Sequence, residues 1–155
     1  MSTMERNKDL VRDSTREFWN RHDMAAFERF HAPGFVSHSA GGDESCEQYR
    51  AICQAYFTAF PDLTITIDDL VAEGDKVTKV WTARCTHRGA FLGIPATGNP
   101  VVVKGIYVYR VQDGRFAENW TSMDFYGMMQ QVGAIPAPSA AEKSPEPAPS
   151  ATSVG

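Results

Sequence analysis

Apolar positions change their period near the middle of the chain. Before Pro61 they recur every three or four residues; after it they alternate. Leu10, Val11, Ser14 and Phe18 share one helical face, and Ser2 and Glu5 ahead of them have capping-box spacing. Asn20-Arg21-His22 breaks that helix. Asp23 caps a second, short one carrying Phe27 and Phe30, which must end before Pro33 because a residue preceding proline is driven out of the α region. Phe35 to His38 predicts a short strand, and Gly41-Gly42 a loop. Ser45 and Gln48 form another capping box. Behind it Tyr49, Ile52, Cys53, Tyr56, Phe57 and Phe60 fall at i, i+3, i+4, i+7, i+8 and i+11, the clearest amphipathic helix in the chain, and Pro61 stops it.

The second half predicts strands. Leu63, Ile65 and Ile67 alternate with Thr64, Thr66 and Asp68, and Glu73-Gly74-Asp75-Lys76 is a tight turn. A strand over Val77 to His87 places Val77, Lys79, Trp81, Ala83, Cys85 and His87 on one face. A Gly/Pro-rich loop from Gly89 to Pro100 follows, then a strand over Val101 to Arg110, a hairpin turn at Asp113-Gly114, and a strand over Arg115 to Met123. A short helix from Phe125 to Val132 ends at Gly133, a natural residue for a helix C-terminus. Helices followed by an antiparallel meander give an α+β domain. A twisted sheet of long strands curls over a helix and leaves an open apolar cavity, the expected place for a site.

Composition limits what such a domain does. The 155 residues have room for one core, and 43% hydrophobic and 22% charged residues are ordinary globular values. Residues 1–133 are expected to form the domain. Residues 134–155 hold five of the nine prolines and almost no large apolar residue, so they read as a disordered Ala/Pro/Ser-rich tail. A net charge of −4 without a Lys/Arg run argues against nucleic acid or an anionic membrane as partner. No apolar run spans a bilayer. Cys46, Cys53 and Cys85, odd in number and without a CxxC pair, read as reduced thiols of a cytoplasmic protein, Cys53 and Cys85 as packing.

Cofactor motifs are missing. Gly93 and Gly98 have P-loop glycine spacing, but Asn99-Pro100 stands where Lys-Ser/Thr is required. GxGxxG, HExxH and GxSxG do not occur. His22, His31, His38 and His87 lack metal-ligand spacing, and no cysteine pair completes a zinc set. An enzyme built on this chain is expected to work by side chains alone, with no metal and no organic cofactor.

The chain resembles a known family in six stretches that occur in order at matching spacing. They are Trp19-Asn20-Arg21-His22-Asp23, Phe35-Val36-Ser37-His38, Phe60-Pro61-Asp62-Leu63, Glu73-Gly74-Asp75-Lys76-Val77, the run from His87 to Gly98, and the run from Trp120 to Gly133. Together they resemble the SnoaL-like polyketide cyclases, or ester cyclases, of the nuclear-transport-factor-2-like superfamily. The resemblance runs from the first helix to Gly133. It implies a cone-shaped α+β barrel, usually dimeric, with an internal apolar cavity. It also implies ring closure of aromatic polyketides by intramolecular aldol condensation without cofactor, or a hydroxylation step in some relatives. An Asp before the final Phe-x-Gly is the family's acid/base, and Asp124-Phe125-Tyr126-Gly127 matches, so Asp124 inherits that role. Where the cyclases carry a cavity-facing His, this chain has Tyr107, a phenol that donates to an oxyanion but is no base near pH 7.

Each candidate has a structural reading beside the chemical one. Asp124 is either the catalytic acid/base or the N-cap of the last helix. Tyr107 and Tyr109 are cavity or core aromatics. Trp120, sharing a strand face with Glu118 and Asp124, is expected to wall the cavity. His38 and His87 end apolar strands, as substrate contacts or hydrogen-bonded structural residues. Tyr56 joins the expected substrate-binding set from the amphipathic helix, and Phe91 from a loop that is either a lid or an exposed hairpin. A cyclase is the leading reading. A hydroxylase component, an isomerase, an epoxide-opening hydrolase and a non-catalytic binder of small apolar molecules are the alternatives. A homodimer joined through outward sheet faces is expected.

Overall fold

Ser2 starts the first helix: its side chain accepts from the Glu5 amide at 3.1 Å. In the computed structural model, which describes residues 1–136, α1 (Thr3–Ser14) widens into a π-helical turn, Thr15–Trp19. That turn sets Phe18 and Trp19 into the core, and the chain reverses at His22, whose φ is 54°. Asp23 accepts from the Ala25 amide, opening a 3-10 turn that leads into α2 (Phe27–Phe30).

β1 (His31–Ser39) is longer than the expected Phe35–His38 strand because it runs through Pro33. A register shift between His31 and Val36 accommodates the missing amide hydrogen bond. A short β2 (Gly42–Ser45), unforeseen in the pattern, turns back along it. The Ser45/Gln48 capping box is complete in both directions and opens α3 (Cys46–Ala59), which buries Tyr49, Cys53 and Phe57. Four long strands follow: β3 (Thr64–Glu73), β4 (Lys76–Thr86), β5 (Pro100–Gln112) and β6 (Arg115–Met123). The Asp113-Gly114 turn between the last two has both residues at positive φ, as a tight hairpin requires.

The sheet order is β2-β1-β6-β5-β4-β3. β3 to β6 form the expected antiparallel meander, but β1 pairs with β6 in parallel, so the sheet is mixed. Its two edges, β2 and β3, do not meet. The expected cone is present as an open, curved sheet rather than a closed barrel, with register shifts in β1, in β3 and between β5 and β6 bending it. The helices fill the concave side. α4 (Phe125–Gln131) closes the wide end, with Gly133 at φ 81° just past its C-terminus. The fold extends two residues past the expected boundary: the Ala134 and Ile135 amides bond to the Met129 carbonyl, and Ile135 packs on the core. The remainder of the expected tail lies outside the described residues. No described helix is long and apolar enough to cross a membrane, and the three cysteines are unpaired.

Candidate active site

The alternation of β4 and β5 decides which side chains meet inside the cone. Trp81, Ala83 and Cys85 face inward from β4, Val103 and Tyr107 from β5. Tyr56 and Phe60 from α3, and Met128 from α4, close over them. The lining is almost wholly apolar. The space inside is about 40 Å³, room for roughly one water molecule, and is partly open to solvent. A drug-sized ligand needs roughly 300 Å³ or more, so elements at the wide end must move for one to enter. A larger groove of about 590 Å³ lies between α1 and the turns at Gly74 and Gly114. Its acidic lining, with Asp9, Asp13, Asp75 and Asp113, has no aromatic wall, and it shares no residue with the cavity.

Trp81 fits because position 105 is glycine. A Cβ on Gly105, directly opposite in β5, would lie 2.4 Å from the Trp81 ring. Tyr107 stacks beside Trp81 with ring centroids 5.7 Å apart. Burial pushes its phenol, which lies near the hydroxyls of Tyr49 and Thr121, well above the ordinary tyrosine range. Tyr107 is therefore a proton donor and not a base at neutral pH. Burial raises Tyr56 to about 12 in the same way. Phe91 is buried with its ring 5.3 Å from those of Tyr56 and Phe60, so it backs the wall. Its loop is a tight turn: Phe91 and Ile94 exchange two backbone hydrogen bonds, while Leu92 and Gly93 take positive φ and Leu92 is exposed.

His87 is fully buried beside Phe60. Its Nδ1 lies 2.9 Å from Thr97 Oγ1 and accepts from the Thr97 amide at 3.3 Å, while Thr97 Oγ1 accepts from the Asn99 amide. With Nδ1 an acceptor, Nε2 carries the proton, and that N–H is buried without a partner. Burial also pushes the Cys53 thiol up, and the Cys85 thiol to about 12, so both pack as thiols.

Asp124 has the cap geometry. Its carboxylate accepts from the Gly127 amide at 2.9 Å, and its own amide donates to the Lys104 carbonyl at 3.0 Å. A side chain at 127 is excluded, since a Cβ there would lie 2.2 Å from the carboxylate. The group is exposed, one residue beyond Met123, which lines the cavity; Asp124 itself is not among the lining residues.

Two expected cavity residues are elsewhere. Trp120 is on the outer face of the sheet, 37% exposed and stacked on His38, so neither walls the cavity. The period of two along β6 is right but the inward set is the other one: Asn119, Thr121 and Met123 face in. Asn119 is held there by a hydrogen bond from Ser37 to its side-chain oxygen at 2.7 Å. On the outside, His38 bridges Asp43 at 2.7 Å and Glu118 at 3.2 Å, and Glu118 binds Arg110. Hydrogen bonding to Asp43 raises the His38 pKa, and that from Arg110 lowers the pKa of Glu118.

The open α+β cone that carries this cavity matches known proteins in fold. The SnoaL-like polyketide cyclase family model matches residues 9–132. The chain belongs to the SnoaL-like polyketide cyclase family. AclR, a candidate hydroxylase from Streptomyces galilaeus, superposes with a TM-score of 0.83 at 26% identity over 90% of this chain and 88% of its own. IdmH, a candidate polyketide cyclase from Streptomyces antibioticus, gives 0.72 at 31% identity over 82% and 98%. A SnoaL-like protein from Jannaschia gives 0.79 at 26% identity over 88% and 98%. No curated protein matches the chain.

Proposed function

We propose that the protein is a cofactor-independent enzyme that closes a ring on an aromatic polyketide-like substrate by intramolecular aldol-type chemistry. The observation that carries this reading is an apolar aromatic cavity with Tyr107 in its lining, which ends at Met123, the residue before the exposed Asp124 carboxylate. Asp124 uses one of its acceptor sites on Gly127 and leaves its second oxygen free. A carbon between two carbonyls loses its proton to that carboxylate, the resulting enolate attacks a ring carbonyl, and the alkoxide formed takes a proton. Tyr107 stabilises the developing oxyanion by donating to it, and the apolar walls keep competing water away. Tyr56 completes the contacts to substrate in this reading, with Phe91 and His87 buried behind the cavity wall.

Asp124→Asn keeps a capping side chain but not a base. It should stay folded and lose about 10²–10⁴-fold in kcat. Tyr107→Phe should lose roughly 10²-fold with KM little changed. Full turnover by folded Asp124→Asn ends the acid/base assignment. Two observations favour a second reading as hydroxylase component: Tyr107 stands where the resemblance implies a cavity histidine, and the AclR superposition covers more of this chain than the IdmH one. Oxygen consumption coupled to product formation would select it.

A further inference from the structure

Lys79 is fully buried, and the aldol reading gives it no task. It lies on the inward face of β4, two residues before Trp81 and directly opposite Tyr107 in β5. No carboxylate among the described residues pairs with it. Its Nζ donates to Thr15 Oγ1 at 3.2 Å and stands 5.3 Å and 5.5 Å from the Tyr107 and Tyr109 ring centroids. Thr15 begins the π-helical turn, and its hydroxyl in turn donates to the Val11 carbonyl. The Tyr109 hydroxyl is buried without a partner.

A lysine without a counter-ion is a costly side chain to place in a core that methionine or leucine would fill. Burial lowers its pKa to about 7, so much of the amine carries a free lone pair at neutral pH. It is also one ring's depth from the cavity. Tyr107 lines that cavity on one side and covers the amine on the other. Nζ makes a single hydrogen bond, to Thr15, and otherwise rests against the two tyrosine faces at the end of a flexible four-carbon stem.

We propose that Lys79 is a nucleophilic amine that takes the carbonyl carbon of an aldehyde or ketone reaching the floor of the cavity. The Nζ lone pair adds to the carbon, and the nitrogen's proton passes to the former carbonyl oxygen, giving a carbinolamine. Loss of that oxygen as water, with the second N–H proton, leaves an imine. Amine and carbonyl thus give imine and water, with no oxidant or reductant consumed. This goes beyond the aldol reading: it uses the same cavity but does not depend on Asp124.

The test is reductive trapping on the full-length protein, with benzaldehyde as a slender apolar carbonyl probe and cyanoborohydride at pH 7, read by peptide mapping. The exposed Lys76 and Lys104 are the internal references. Lys79 is expected to be benzylated at least about tenfold faster than either, because an amine held out of water in an apolar site gives up its proton most easily. Asp124→Asn should give the same adduct, which separates this inference from the acid/base reading. If Lys79 reacts no faster than Lys76 and Lys104, or only after denaturation, the amine is a structural contact to the tyrosine faces and the proposal fails.

Discussion

At the scale of single residues, the site combines groups under opposite demands. Asp124 lies exposed as a helix cap, whereas Tyr107 is buried, and burial keeps its phenol protonated. The cap alone makes Asp124→Ala cost about 1 kcal/mol in a urea titration, while Asp124→Asn should be nearly neutral. Gly105→Ala drives a methyl into the Trp81 ring. A loss of about 1–3 kcal/mol is expected, and unchanged stability would mean that the ring has room elsewhere. His31 sets the acid limit. Its Nδ1–H donates to the Phe27 carbonyl, and burial among Phe18, Phe27, Phe35 and Tyr49 lowers its pKa from 6.5 to about 4. Between those values the unfolded chain binds more protons, so stability is full above pH 6.5 and is lost as pH falls towards 4. Thermal melts of the wild type and His31→Phe should show a shallower pH dependence in the variant over that window. Residue types were legible in the sequence, but their side of the sheet was not always so. An apolar-in rule sends Trp120 inward, whereas the Ser37–Asn119 hydrogen bond and the row Lys79, Tyr107, Thr121 turn a polar set inward instead.

At the scale of elements, the wide end of the cone is where movement must occur. α4 has seven residues, packs on the core through Met128 and Met129, and is hydrogen-bonded to β5 by one side chain: Gln131 accepts from the Val102 amide at 2.7 Å and donates to its carbonyl at 2.9 Å. That amide stands in for a strand where β6 has already ended. Gln131→Ala leaves both Val102 backbone groups to water. Amide hydrogen exchange in α4 should then speed up while β4 and the middle of β5 stay protected; equal exchange in both proteins would contradict this role. The helices and the meander were plain in the pattern because caps, prolines and hairpin glycines mark their ends. β2 and the parallel β1–β6 pairing were not. Gly42-Asp43-Glu44-Ser45 carries no apolar alternation, and which strand a returning chain meets is set by packing over the whole sheet.

For the whole molecule, the outer sheet face presents Val102, Ile106 and Trp120 to solvent beside the His38–Glu118–Arg110 network. This apolar face is what a homodimer would cover. Sedimentation should report a dimer, and Ile106→Lys should shift it to monomer with the fold intact; a monomeric wild type at high concentration would refute this. The cone and its apolar lining were legible from periodicity and resemblance together. The small volume of the cavity was not, because about 40 Å³ is the residue of many side-chain volumes that no linear pattern sums. The central claim is that this cavity opens to an aromatic substrate and that Asp124 takes its proton. Solvent deuterium incorporation between the carbonyls of an aromatic 1,3-dicarbonyl probe, followed by proton NMR, tests it most directly. Wild type should speed the exchange well above the buffer rate and folded Asp124→Asn should not; equal acceleration by both proteins would contradict the account.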